Sequence, residues 1–194
     1  MIRPAFPVPV LALALVALAA CREEVASLPQ PVEMTEEAVG HYCQMNLFEH
    51  PGPKAQVHLD GLSNPLFFSQ VRDAIAYQRM PEQSHAITAI YVSDMGGGAD
   101  WENPGANNWI LADTAQFVVG ADVPGGMGAP ELVPFSTPAE ADAFAADHGG
   151  SVMSLDAIAD SEVLAPVEID GIPDTDDDTD FEERLRALST ELEG

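Results

Sequence analysis

The sequence predicts an α+β domain over residues 39–158, built from two ββαβ-like repeats, each a small, mostly antiparallel sheet carrying one helix. Two observations lead there. Short β-rich runs alternate with single helix-like segments in a span too short for a large sheet. The order of these elements is also similar in the two halves, about 39–95 and 106–158.

Residues 1–20 read as a signal peptide. Arg3 supplies the positive start, and Val8 to Leu18 form an apolar run too short to span a bilayer comfortably. Leu18-Ala19-Ala20-Cys21 resembles the lipobox of bacterial lipoprotein precursors, which implies acylation of Cys21 and anchoring to a membrane facing the periplasm. Residues 21–38 are acidic, contain Pro29 and Pro31 and lack periodicity, so they are expected to be a tether.

Within the domain, Ala55 to Leu59 alternates as a strand and Asp60-Gly61 gives a turn. Asn64 as cap and Pro65 at the first helical position predict a helix over 64–77. Ala86 to Val92 is a second β-rich run, and 94–108 is a loop by its glycine and turn-former content. Asn108 to Ala112, Ala115 to Val119 and Glu131 to Phe135 read as strands. Thr137, Pro138 and Glu140 form a capping-box start for a helix ending at His148, where Gly149-Gly150 stops it ahead of a strand at Ser151 to Leu155. Residues 159–194 are expected to form an acidic tail: Asp170 to Asp180 self-repels, and Phe181, Leu185, Leu188 and Leu192 recur at helical spacing.

Acidic residues outnumber Lys and Arg by 32 to 7, a net charge of -25, which disfavours nucleic-acid backbones and anionic lipid alike. No Gly-x-Ser-x-Gly, His-Glu-x-x-His, P-loop or dinucleotide fingerprint occurs. With Cys21 acylated, Cys43 is the remaining thiol of the chain's 2 cysteines and has no intrachain partner in an oxidising compartment.

Cys43 stands in Gly40-His41-Tyr42-Cys43-Gln44-Met45. A thiolate and a thioether at i and i+2 of an extended segment would point the same way, and soft sulfur donors select Cu(I). His41 shares that face as an additional candidate donor. Met127, in Gly125-Gly126-Met127-Gly128, could approach from the other half. The competing reading is a buried inert thiol, and Met34, Met80 and Met153 read as core fillers. His58 and His85 read as structural, and His148 as a helix-terminal charge.

The lipobox, Tyr42-Cys43-Gln44-Met45, Tyr91-Val92-Ser93-Asp94, the Gly126 to Phe135 run and His148-Gly149-Gly150 together resemble the nitrous oxide reductase accessory lipoproteins, NosL. The resemblance covers about residues 18–158. It implies a paired ββαβ fold and a non-enzymatic periplasmic chaperone that binds Cu(I) through Cys43, Met45 and Met127. It also implies two partners, nitrous oxide reductase and a membrane ABC-type assembly complex. Some relatives carry Cys-x-x-Cys-Gly-Met here, whereas this chain has Gly40 at the earlier cysteine position. Two other readings stand beside it: an adaptor lipoprotein docking through its acidic tail, and a thiol enzyme using Cys43 with His41 as base.

Overall fold

The computed structural model describes residues 27–81, 83–167 and 186. The signal peptide, Cys21 and the acidic run with its amphipathic segment lie outside the described residues.

In chain order the elements are β1 (Ala55–Leu59), β2 (Leu66–Phe68), α1 (Val71–Arg79), β3 (Ile87–Ser93), β4 (Trp109–Leu111), β5 (Gln116–Pro124), β6 (Pro130–Phe135), α2 (Pro138–His148), β7 (Ser151–Ser154) and α3 (Asp160–Leu164). One sheet has the order β2-β1-β3-β4 and the other β6-β5-β7, every pair antiparallel. Each repeat therefore places its first strand in the middle and reads ββαβ, as expected. The extra strand β4, assigned above to the second half, pairs instead with β3 and closes the first sheet.

The first helix differs from the expectation. Leu66–Phe68 pairs with Ala55 to Val57 as a strand, and the helix begins only at Val71. The three apolar side chains at 66–68 gain more by joining the sheet than Asn64 and Pro65 gain by opening a helix, because capping is worth only about 1 kcal/mol. In the second repeat Thr137 caps as expected. Its hydroxyl accepts from the Glu140 backbone N–H and donates to Glu140 Oε2 at 2.6 Å.

A single core joins the repeats. Val57, Ile90 and Val92 of the first sheet, Val71, Ala74 and Ile75 of α1, and Phe117, Val119 and Leu132 of the second sheet pack in one cluster with Ile158 and Val163. Each large apolar side chain buried this way contributes about 1.5–3 kcal/mol. The outer face of the second sheet (Val118, Val133, Phe135) is covered by Ala141 and Phe144 of α2 and by Met95 and Trp101 from the 94–108 loop.

The outer face of the first sheet is covered by chain expected to be tether. Residues 29–38 lie across it as a strap. The Val32 N–H donates to Gln56 Oε1 (2.8 Å) while Gln56 Nε2 donates to Val32 O (3.0 Å). The Tyr91 hydroxyl donates to Pro29 O, and the Met34 N–H to Ala106 O. Met34, Ala38 and Leu47 pack with Phe67 and Trp109. The strap explains why all five residues of β1, including Gln56 and His58, are buried. The beginning of the expected tail is likewise structured: α3 packs on α1, with Arg72 donating to the carbonyls of Glu162 and Ala165, and Arg79 pairs with Asp160 at 2.8 Å.

Candidate metal centre

Cys43 sits in a tight hairpin between the strap and the 3-10 turn Leu47–Glu49. Val39 bridges Asn46, the Gly40 N–H donates to Met45 O (3.0 Å), and the Gln44 N–H donates to Gly40 O (2.9 Å). Gln44 has φ 55, a left-handed conformation that costs a non-glycine residue roughly 1–2 kcal/mol. Its own side chain offsets part of that by donating to His41 O at 2.7 Å and to Gly40 O at 3.3 Å. The segment is thus a turn, and the extended i, i+2 geometry expected for Cys43 and Met45 is not what places them. The turn does so instead, leaving Met45 40% exposed and Cys43 half-buried.

Gly40 is part of that arrangement. A Cβ added there would lie 2.5 Å from Cys43 Sγ, so the thiol occupies the space that any other residue would need. The Sγ also points toward Met45 O at 4.0 Å. His41 anchors the hairpin through its N–H, which donates to Phe67 O, and its ring packs edge-on against Phe68 and Tyr77.

Met127 occupies a turn between β5 and β6 closed by Gly125 N–H to Ala129 O and Gly128 N–H to Gly125 O, both 2.8 Å. That turn is fastened to the other repeat. The Met127 N–H donates to Gln70 Oε1 (3.0 Å), and His50 Nδ1 lies 3.0 Å from Gly126 O. A Cβ on Gly126 would come to 2.8 Å from Pro51 O and 3.1 Å from Ser69 O. The Met127 side chain is left 45% exposed.

The two sulfur-bearing loops share a seat. The Cβ position of Gly40 is 3.7 Å from Ser69 N, and that of Gly126 is 3.1 Å from Ser69 O. Because both ends are atoms of one residue, the two Cβ positions lie within about 10 Å of each other. The sequence offers Cys43, Met45 and Met127 as candidate donors and gives no role to Ser69, Gln70, His50 or Glu131, which hold or underlie the two loops. The one available signal was a carboxylate, Glu131, heading an otherwise apolar run.

Beneath the turn lies a buried polar group. Glu131 Oε1 accepts from the backbone N–H of Arg72 (3.0 Å), the second residue of α1, and of Leu132 (2.9 Å). It thereby caps the first repeat's helix from the second repeat, where the cap residue Gln70 turns its side chain to Met127 and makes no capping bond to the helix. Burial pushes the Glu131 carboxyl up to about 8, against the opposing pull of those N–H donors. Lys54 donates to the carbonyls of Pro51 and Gly52, and burial lowers its ammonium to about 8, with Glu131 acting the other way. Glu131 Oε2, Gln70 Nε2 and His50 Nε2 are buried and find no hydrogen-bond partner among the described residues. A Cβ on Gly125 would fall within 2.8 Å of both Gln70 Nε2 and Glu131 Oε2, so any larger residue there would have to displace those two side chains.

The family model for NosL matches residues 31–163, most of the chain and nearly all of its described residues. The chain belongs to the NosL family. It is 58% identical over 178 residues to the copper-binding lipoprotein NosL of Achromobacter cycloclastes, covering 91% of this chain and 92% of that one. Against the copper-binding lipoprotein NosL of Stutzerimonas stutzeri the identity is 33% over 138 residues, covering 71% of this chain and 70% of the relative. The crystal structure of the copper chaperone NosL from Shewanella denitrificans superimposes with a TM-score of 0.62 at 31% identity, spanning 67% of this chain and 96% of that one. The NosL match begins at residue 31, inside the strap, and ends at 163, inside α3. Both segments thus fall within the stretch shared with the family.

Proposed function

We propose that this chain carries a single Cu(I) ion on the thiolate of Cys43 and the thioethers of Met45 and Met127, and delivers it for the maturation of nitrous oxide reductase. The observation that carries the reading is the common seat of the two sulfur loops on Ser69. The hairpin that carries Cys43 and Met45 and the turn that carries Met127, from opposite halves of the sequence, both rest on that one residue, which supports a shared donor set. Soft sulfur donors favour Cu(I), and three donors leave a side open for transfer. The thiol supplies most of the affinity because it gives up its proton on ligation. His41 joins the set only if its ring leaves its packing against Phe68 and Tyr77.

The names of the relatives support copper as cargo and a lipid anchor. On that reading Cys21 is acylated and the domain works on the periplasmic side of a bacterial membrane, beside the ABC-type assembly complex the family resemblance implies. It acts as a carrier and not as an enzyme. A thiol nucleophile would need a free base nearby, and the one histidine in the hairpin is engaged with aromatic rings.

The test is anaerobic titration of Cu(I) against a chromophoric chelator. Wild type should retain one equivalent. Cys43→Ser should weaken retention by about 100-fold, and Met45→Leu or Met127→Leu by about tenfold each, roughly 1.4 kcal/mol apiece. Undiminished binding in Cys43→Ser would remove the proposed centre.

A further inference from the structure

Gln70 joins the two halves where Met127 leaves the β5–β6 turn. Its side chain is buried (1% exposed), and Oε1 accepts the Met127 N–H at 3.0 Å. The other end of the carboxamide faces Glu131 across Gly125. A Cβ on Gly125 would stand 2.5 Å from Gln70 Nε2 and 2.8 Å from Glu131 Oε2. The two atoms are therefore about 5.3 Å apart at most, and a small rotation of either side chain brings them to the hydrogen-bond range of about 3 Å.

Glu131, also 1% exposed, divides its oxygens. Oε1 accepts from the Arg72 and Leu132 N–H groups, while Oε2 lies on the side of the carboxamide. Bulk water is shut out from Nε2 and Oε2 alike, and a buried donor left unmade is costly. A donor and an acceptor thus stand on either side of a glycine that places no side chain between them.

We infer that Glu131 is a positioning residue for the Met127 thioether: Oε2 orients the Gln70 carboxamide, and the carboxamide fixes the backbone from which Met127 projects. This rests on Met127 serving as a donor, as proposed above. The Met127 N–H needs the oxygen end of the carboxamide. A carboxylate at Oε2 selects that same orientation, because it accepts from Nε2 and repels Oε1. Protonated Oε2 is a donor itself and competes with the Met127 N–H for Oε1. The hold on Met127 is therefore firmer when Glu131 is charged. Burial and, more weakly, the Asp73 carboxyl of α1 oppose that charge. The Arg72 and Leu132 N–H groups and the Lys54 ammonium ahead of β1 favour it, and the midpoint stands at about 8. His50 holds the far side of the turn, with Nδ1 3.0 Å from Gly126 O.

The test is Cu(I) retention by the mature protein in chelator competition at pH 6 and pH 9. Every form gains with pH as Cys43 ionises, so the quantity read is the ratio of wild type to Glu131→Gln. It should be near one at pH 6 and about fivefold in favour of wild type at pH 9. Gln70→Leu should abolish that pH 9 difference, although Lys54 still titrates in this range. Gly125→Ala, which wedges Nε2 from Oε2, should reproduce the loss. In the apo wild type, which needs no variant to fold, the Met127 amide nitrogen should titrate with the Glu131 carboxyl carbon. A ratio independent of pH, a difference that survives Gln70→Leu, or a Met127 amide indifferent to Glu131 would each overturn the positioning role. Undiminished binding by Met127→Leu would instead overturn the donor reading, and the amide titration would still decide whether Glu131 orients Gln70.

Discussion

The two repeats share a strand order but use their helices in opposite ways. In the first, α1 is held between sheets, with Val71, Ala74 and Ile75 at 0% exposure. In the second, α2 lies on an outer face and buries only Ala141 fully. The donor loops differ in the same sense. The Cys43 hairpin is closed mainly by its own backbone and by the Gln44 side chain, whereas the Met127 turn is held to the opposite repeat by Gln70 and His50. The thiol is thus set locally, and the distant thioether is set by how the halves dock.

Four measurements sharpen or break that contrast. Ile75→Ala in α1 should cost about 2–5 kcal/mol by urea denaturation. Phe144→Ala in α2, despite its larger side chain, should cost less than half as much, and equal losses would erase the distinction between the helices.

Glu131→Gln tests the docking through pH. Glu131 is raised from 4.5 to about 8, so its favourable contribution is complete below pH 4.5 and is lost as pH climbs to 8. Wild-type stability should carry a falling component of up to about 1.4 kcal/mol per pH unit across that window. The variant should lack it. Lys54, lowered from 10.5 to about 8, acts in the opposite sense and higher: its contribution is present above 10.5 and lost as pH falls to 8. The two slopes therefore occupy separate ranges of a stability-against-pH curve.

Gly126→Ala should force the turn away from Pro51 O and Ser69 O and weaken Cu(I) retention about tenfold, or 1.4 kcal/mol. An unchanged chelator competition would mean that the seat on Ser69 does not position Met127. The smallest effect is expected for Gln70→Leu, a few-fold weakening that disappears in a Met127→Leu background. Persistence there would show that Gln70 acts on stability and not through Met127.

Much of this architecture was legible from the residues. The strands around Val57, Ile90 and Val133 carry apolar β-formers, and Thr137-Pro138 with Glu140 marks a helix start that forms as written. The strap was not legible, because its grip comes from backbone groups meeting Gln56 and Tyr91, and acidic, proline-bearing composition carries no trace of that. Asn64-Pro65 misled for a related reason: a sound local helix start lost to the pairing of Leu66 to Phe68 with β1. At the candidate centre, Cys43, Met45 and Met127 could be proposed from their chemistry, but the geometry of their loops could not be read. The left-handed Gln44 and the glycines at 40, 125 and 126 make sense only once it is known what lies 3 Å above them.

The interior shared by the two halves has a consequence for the order of events as the chain folds. A chain that emerges from its N-terminus presents Cys43 and Met45 first, but Met127 acquires its place only after β5 and β6 have settled against α1. On the proposed reading, a partly emerged or nicked polypeptide would hold its cargo about tenfold more weakly, as expected for Met127→Leu. Loading would then favour finished molecules, and the ion, once seated, would reinforce the native state as a whole.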